Sequence, residues 1–405
     1  MHCRINIDYL LGVEDSSNEH FLKTMKTGKQ LHIGLVTGTL NSGGAERMMV
    51  NLANALSNNH SIELILVNKT GPYIEEVSPQ VQLHNLNAKK GVKSVIPKLR
   101  NILSSQKHDV ILSTQPHINA AVGISSISLS QKPILLFREA NTPSVKYSEF
   151  SLLPNIIYRF GYQFADHFIA VSEGVNSDMQ KFYGIPSNRI TTIYNPVVDD
   201  SIHNLMKEEP GHPWLKQNNQ PVIMTMSRLV PQKDHTTLLK AFAELRKARK
   251  AKLLILGDQS ANPAYVGSIK ELAKTLKVQN DVDLPGFKPN PFSWLHRASL
   301  FVLSSKFEGL PGSLIQALAC GCPVVSTDCP SGPAEILSEG EFGKLVPVGD
   351  IDAMAKAMLE SLEEKHDKYQ LKNRGSYFSA NSAADQYVSL IKNKLNNEES
   401  STSRS

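Results

Sequence analysis

The run from Leu300 to Gly321 constrains this chain more than any other stretch. Leu300–Leu303 is short and wholly apolar, and reads as a buried strand. The chain then breaks at Gly309, Pro311 and Gly312, and resumes from Ser313 as an apolar helix that stops at Gly321. A strand, a glycine-rich turn and a helix in immediate succession make an anion site. The first-turn N–H groups have no intrahelical partners and carry partial positive charge. Glu308 in the turn and Gln316 early on the helix flank that site. A diphosphate with hydroxyl acceptors on both sides suits a nucleotide sugar.

Short apolar strands alternate with helical segments along most of the chain. A first series of strands is expected at 32–37, 62–67, 110–114, 134–138, 168–172 and 190–194. After the first of them, Ala45, Met48, Met49, Leu52, Ala53 and Leu56 recur at helical spacing. A second series is expected at 222–227, 253–257, 282–285, 300–304, 324–327 and 345–348. Such alternation implies parallel sheets with helices on both faces. At 405 residues the chain exceeds what one core usually serves, so two domains are expected. The fold class is therefore α/β, with two doubly wound, Rossmann-like domains. The expected boundaries are a flexible extension over 1–29, a first domain over 30–199, a polar linker over 200–220 and a second domain over 221–375. A last helix over 376–395 and a disordered tail over 396–405 complete the chain.

Three further loops carry groups that suit a phosphorylated sugar. Gly43 and Gly44 stand between the first strand and its helix, where they let backbone approach a bound group closely. The spacing there is not that of a dinucleotide fingerprint. Arg228 and Lys233 follow the first strand of the second series, joined through Pro231. Two cations on such a turn can converge on one diphosphate and neutralise charge as it departs. A tight turn and a pair of solvated cations are the plain alternatives. His117 and the pair Arg138-Glu139 each follow or end a strand of the first series.

The pattern Glu308-Gly309-x-Pro311, a polar residue at 316, and then Ala317-x-Ala319-x-Gly321 resembles the retaining glycosyltransferases of family 4. That family's hallmark is two glutamates separated by seven residues; this sequence has Glu308 at the first position and Gln316 at the second. Gln still offers a carbonyl acceptor and two donors, so hydrogen bonding to a ribose survives the change. The resemblance covers about residues 31–395. It implies the GT-B architecture, with the last helix returning to the first domain and the active site in the cleft between the domains. It also implies that the first domain faces the acceptor and the second holds the donor. The stretch Gly43-Gly44-Ala45-Glu46-Arg47 matches a loop that the family sets beside the donor's phosphates. By the same resemblance Arg228, Lys233, Glu308 and His117 are the expected catalytic residues. Arg228 and Lys233 meet the leaving diphosphate; Glu308 and His117 meet the transferred sugar. Gly43, Gly44, Gly312, Ser313, Leu314 and Gln316 are expected at the donor, and Arg138 and Glu139 on the acceptor side.

No metal or other cofactor is expected. Asp281-Val282-Asp283 looks superficially like a metal-holding pair, but it enters the strand expected at 282–285 and is not read as a metal site. Cys320, Cys322 and Cys329 read as small buried residues of a reduced, cytoplasmic protein, since no His lies nearby. A net charge of +5 is mild and singles out no nucleic acid. No apolar run approaches the ~20 residues that cross a bilayer. A basic segment with Lys89, Lys90, Lys93, Lys98 and Arg100 around Val92, Val95, Ile96, Leu99 and Leu103 could lie on an anionic membrane surface, although Pro97 interrupts it as a helix. An ordinary surface helix is the alternative.

The expectation is a cytoplasmic, retaining, metal-independent glycosyltransferase, with peripheral contact to an anionic membrane as an option beside the ordinary surface helix. Its partners would be a nucleotide sugar, most simply a UDP-sugar, and a growing surface glycan or polyprenyl-diphosphate-linked acceptor. A nucleotide-sugar epimerase or a non-catalytic nucleotide-sugar-binding subunit of the same architecture are the rivals.

Overall fold

The computed structural model describes residues 29–41, 43–88, 92–146, 152–216 and 220–402. Apart from Lys29, the N-terminal extension lies outside the described residues.

The first sheet comprises β1 (His32–Thr37), β2 (Ser61–Leu66), β3 (Gln82–Asn85), β4 (Val110–Thr114), β5 (Ile134–Glu139), β6 (His167–Ala170) and β7 (Ile190–Thr192). The second comprises β8 (Val222–Met226), β9 (Lys252–Leu256), β10 (Val282–Gly286), β11 (Leu300–Leu303), β12 (Val324–Thr327) and β13 (Lys344–Val346). Their spatial orders are β3-β2-β1-β4-β5-β6-β7 and β10-β9-β8-β11-β12-β13. All the pairings are parallel. β4 and β5 are buried at every residue, as parallel strands covered on both faces must be. Each order reverses beside its first strand, between β1 and β4 and between β8 and β11. Crevices for ligands form at such reversals, beyond the strands' C-terminal ends.

The helices that frame the site are α1 (Gly44–Ser57), α2 (Val92–Ser105), α3 (Pro116–Ser125), α4 (Leu152–Tyr162), α5 (Glu173–Tyr183), α6 (His235–Ala248), α7 (Gly312–Ala319), α8 (Pro333–Leu337) and α9 (Ala380–Thr402). α9 follows the second domain but buries Ala383, Ala384, Tyr387 and Ile391 in the first domain's core, beside α1.

Several expectations need correction. The segment 200–220 is not an aperiodic linker: it holds short helices at Ile202–Leu205 and Pro213–Lys216, pinned by buried Ile202, Met206 and Leu215. Residues 396–402 continue α9 instead of forming a disordered tail. α2 runs through Pro97, because Val95, Leu99 and Leu103 pack into the core and outweigh one lost hydrogen bond. That packing removes the apolar face proposed for a membrane surface. Lys98 donates to the carbonyls of Leu86 (2.6 Å) and Asn87 (3.0 Å), and Arg100 to those of Ser125 and Ile127. Lys89, Lys90 and the side chain of Lys93 lie outside the described residues. Among the described residues no helix is long and apolar enough to cross a membrane.

Candidate active site

A cleft of about 1100 Å³ separates the two domains and is lined by the loops that leave β1, β4, β8 and β11. These are the four strands that border the two order reversals. Three helices, α1, α3 and α7, start at this cleft with no side-chain cap on their first amides. Five other helices of comparable length are capped, by Ser172, Asp234, Asn262, Asp350 and Asp367. A cap satisfies orphan N–H groups from within the chain. At the cleft no such cap occupies the helix starts, so the amides not already bonded to nearby carbonyls or to Glu46 remain available to an anion.

The second domain's wall is laced together by hydrogen bonds between the loops after β8 and β11. Gln232 Nε2 donates to Phe307 O (2.8 Å), Lys306 N to Gln232 O (2.8 Å), and Ser304 Oγ to Lys233 O (2.8 Å). This brings Lys233 Nζ to 2.5 Å from Glu308 Oε1, which also accepts from Ser305 Oγ (2.6 Å). Glu308 is only 6% exposed, and these two donors replace hydrogen bonds that water would give its carboxylate. Arg228 stands exposed at the cleft, with no ion pair among the described residues. Gly312, Ser313 and Gln316 line the same wall. Leu314 does not: its side chain is fully buried and its N–H donates to Pro311 O (3.1 Å). The first-turn amides left for a ligand are therefore those of Gly312 and Ser313.

The first domain's wall carries Gly43, Gly44, Glu46 and His117. A side chain at Gly43 would strike Glu46, its Cβ lying 2.0 Å from Glu46 Oε2, whereas Gly44 faces open space. Burial lifts Glu46 above the ordinary carboxylate pKa, opposed by a backbone hydrogen bond, the Arg228 guanidinium and Gln115. Burial lowers His117 below the ordinary imidazole value. Arg138 and Glu139 form the floor, each about 1% exposed and already engaged. Arg138 donates to Thr114 Oγ1 (2.9 Å) and to Asn195 Oδ1, and Glu139 accepts from Tyr162 Oη (3.0 Å).

The two walls touch through the β11 loop. Thr142 Oγ1 donates to Glu308 O (2.9 Å) and Ser172 Oγ to Gly309 O (2.9 Å). Gly309 must lack a side chain, because a Cβ would lie 2.1 Å from Ala140 O. Beside it, the Glu335 carboxylate on α8 accepts from the first amides of α5, Glu173 N and Gly174 N, each at 2.9 Å.

Two family models cover most of this architecture. Residues 42–201 match Glycosyltransferase Family 4 and residues 207–377 match Glycosyl transferases group 1. The chain belongs to glycosyltransferase family 4. A Campylobacter jejuni N-acetylgalactosamine-N,N'-diacetylbacillosaminyl-diphospho-undecaprenol 4-alpha-N-acetylgalactosaminyltransferase is 29% identical, over 84% of this chain and 93% of its own. A second C. jejuni transferase is 27% identical over 89% and 98%; its named acceptor is GalNAc-alpha-(1->4)-GalNAc-alpha-(1->3)-diNAcBac-PP-undecaprenol. HepE of Anabaena, solved with UDP and glucose, superposes with a TM-score of 0.71 at 20% identity, over 92% of this chain and all of that one. That likeness shows the shared GT-B fold.

Within this family 4 chain, Glu46, Glu335 and Thr142 escaped the sequence reading. Glu46 could have been singled out from the Gly-Gly-Ala-Glu-Arg stretch itself. Glu335 and Thr142 act across the domain interface and leave no local signal. Asp281 and Asp283 face separate partners: Asp281 binds Arg246 (2.6 Å) and Lys252 (2.7 Å), and Asp283 binds His212 (3.0 Å). Cys320, Cys322 and Cys329 are buried, and burial pushes the thiols of Cys322 and Cys329 up to about 12.

Proposed function

We propose that this glycosyltransferase works with retention, moving a sugar from a UDP-sugar to a lipid-linked or growing surface glycan without a catalytic metal. The observation that carries this reading is the convergence of Arg228, Lys233 and the uncapped start of α7 on one cleft wall, with Glu308 held against Lys233. A lysine ammonium has three donors. Lys233 gives one to Glu308 and keeps two for a diphosphate. Arg228 and the amides of Gly312 and Ser313 would complete the cradle, supplying the neutralisation that a divalent cation gives elsewhere. Glu308 and His117 would bind the sugar's hydroxyls, and Gln316 the ribose.

In the proposed step the bond between the anomeric carbon and the β-phosphate oxygen breaks. The acceptor oxygen bonds to the same face of that carbon. The acceptor's proton passes to a donor phosphate oxygen, so the products are nucleoside diphosphate and glycoside. Arg138 and Glu139 at the floor would position the acceptor side indirectly, through Thr114, Asn195 and Tyr162. A lipid-linked acceptor draws support from α4, where Ile156, Ile157 and Phe160 are 54, 42 and 47% exposed beside the cleft-lining Tyr158. Neighbouring apolar side chains left in water fit a surface that meets a lipid chain. The undecaprenol-linked acceptors named for the C. jejuni relatives add to that support, and the enzyme would work at the cytoplasmic face of a membrane.

Incubation with a panel of labelled nucleotide sugars, with and without polyprenyl-diphosphate-linked acceptors, tests the reading. A glycoside with the donor's anomeric configuration, formed equally with and without EDTA, is expected. Conversion of donor alone, or binding without turnover in every pairing, would overturn it.

A further inference from the structure

At the opposite end of the first sheet from the cleft, three histidines converge on one buried carboxylate. His32 opens β1, Glu63 lies early in β2, His84 lies on β3, and His108 stands just before β4. Glu63 is 3% exposed. His32 Nε2 lies 2.8 Å from its Oε1, while the Nε2 atoms of His84 and His108 each lie 3.1 Å from its Oε2. Ligand atoms of His32, Glu63 and His108 all fall within 4.8 Å of one another.

Gln106 also lies against Glu63 and, with its amide nitrogen turned inward, is a neutral donor to both carboxylate oxygens, but the His32 contact needs something more than neutral side chains. His32 Nδ1 is 2.9 Å from the Lys107 carbonyl, so Nδ1 must carry the proton and donate it. In neutral imidazole Nε2 is then a lone pair, and it faces a carboxylate oxygen at 2.8 Å. Two acceptors at that distance repel unless a cation lies between them. His84 Nε2 is also buried and makes no hydrogen bond among the described residues.

The backbone makes room for this cluster. Gly34 interrupts the otherwise apolar interior of β1, where glycine is disfavoured unless another group approaches closely. A Cβ there would lie 2.4 Å from Ile111 Cδ1 and 3.1 Å from the His108 ring.

We propose that His32, Glu63 and His108 bind a zinc-class divalent cation, with His84 beside the same carboxylate as a fourth ligand or its orienting partner. Imidazole and carboxylate ligands suit zinc. Bonds of about 2.0–2.1 Å in a tetrahedron put neighbouring ligand atoms roughly 3.3 Å apart, close to the separations from Glu63 seen here. The carboxylate leaves the site with one negative charge when the imidazoles are neutral. His32 and His84, at 29 and 21% side-chain exposure, give the ion a way in. The site ties the starts of β1 and β2 to the chain entering β4, so its role is structural and independent of the cleft.

The test uses the full-length, untagged chain stripped of metal. Equilibrium dialysis against micromolar Zn²⁺, and titration with Co²⁺ followed by visible absorption, should both show one equivalent bound per chain. Thermal unfolding should move upward with Zn²⁺. His32→Gln should weaken binding at least tenfold and abolish the Co²⁺ bands, whereas His203→Gln, on an exposed residue elsewhere, should leave both unchanged. Absence of a saturable equivalent in the wild-type chain, or equal binding by the two variants, overturns the proposal. So does a cluster that responds to pH but not to Zn²⁺, which would then hold only protons.

Discussion

The cleft has one wall that is assembled before any ligand arrives and one that is not. On the second domain's wall, Lys233, Glu308 and Ser305 are bonded together and the loops carrying them are bonded to each other, while Arg228 beside them has no ion pair among the described residues. On the first domain's wall, Glu46 has a backbone hydrogen bond and one long side-chain contact, 3.4 Å from Gln115 Nε2, and the His117 side chain makes no hydrogen bond among the described residues. Burial raises the pKa of Glu46 and lowers that of His117, each a shift toward the neutral form. The difference fits a division of labour. Charge that develops on a leaving diphosphate needs dipoles and cations already in place, because reorganising them would add to the barrier. A wall that meets varied acceptor hydroxyls gains more from groups whose charge and partners can still change.

The largest expected effect lies on the pre-assembled wall. Arg228→Ala or Lys233→Ala should lower the turnover number about a hundredfold or more, the scale of one lost preorganised contact. Turnover at saturating donor checks this; if both variants lose less than His117→Ala, the contrast between the walls collapses. Glu308→Gln comes next. It should impair turnover severely while UDP binding, read by calorimetry, stays within a few-fold, because its assigned contact is to the sugar. Loss of UDP binding would instead mean that the Lys233–Glu308 pair holds the diphosphate site itself together.

Gln316→Ala should raise the donor KM by the equivalent of about 1–2 kcal/mol, the loss of one hydrogen bond, and Gln316→Glu should preserve activity. The reverse pattern would remove Gln316 from the ribose. The smallest effect sharpens the other wall. His117 is depressed in the folded state, so its contribution to stability is present above the unfolded value near 6.5 and is lost as pH falls through the folded pKa. His117→Gln should therefore gain in melting temperature relative to wild type as pH drops from 7 to 5. A pH-independent difference would mean that His117 is solvated.

Most of the fold was legible because parallel strands buried on both faces carry continuous apolar runs: β11 is apolar throughout, and β4 and β5 are apolar until their C-terminal ends on the cleft side, Ser113-Thr114 and Arg138-Glu139. β3 was not, since Gln82-Leu83-His84-Asn85 forms a half-exposed edge with a single aliphatic residue. The linker was misread for a related reason. Its composition is polar, but three scattered apolar residues suffice to pin it. Within the site, local chemistry announced Arg228, Lys233 and Glu308, and the structure sets them on one wall. It could not announce that Leu314 spends its amide on Pro311, since that depends on how tightly the first turn of α7 winds.

The bonds that Thr142 and Ser172 make to the carbonyls of Glu308 and Gly309 have a mechanical meaning. The strip of backbone that carries Glu308 also joins the two halves of the molecule. If product were to leave by the halves swinging apart, that motion would pull on this strip and on the Glu335 contacts beside it. A donor held by the second half alone would then meet a carboxylate whose main-chain anchor has let go.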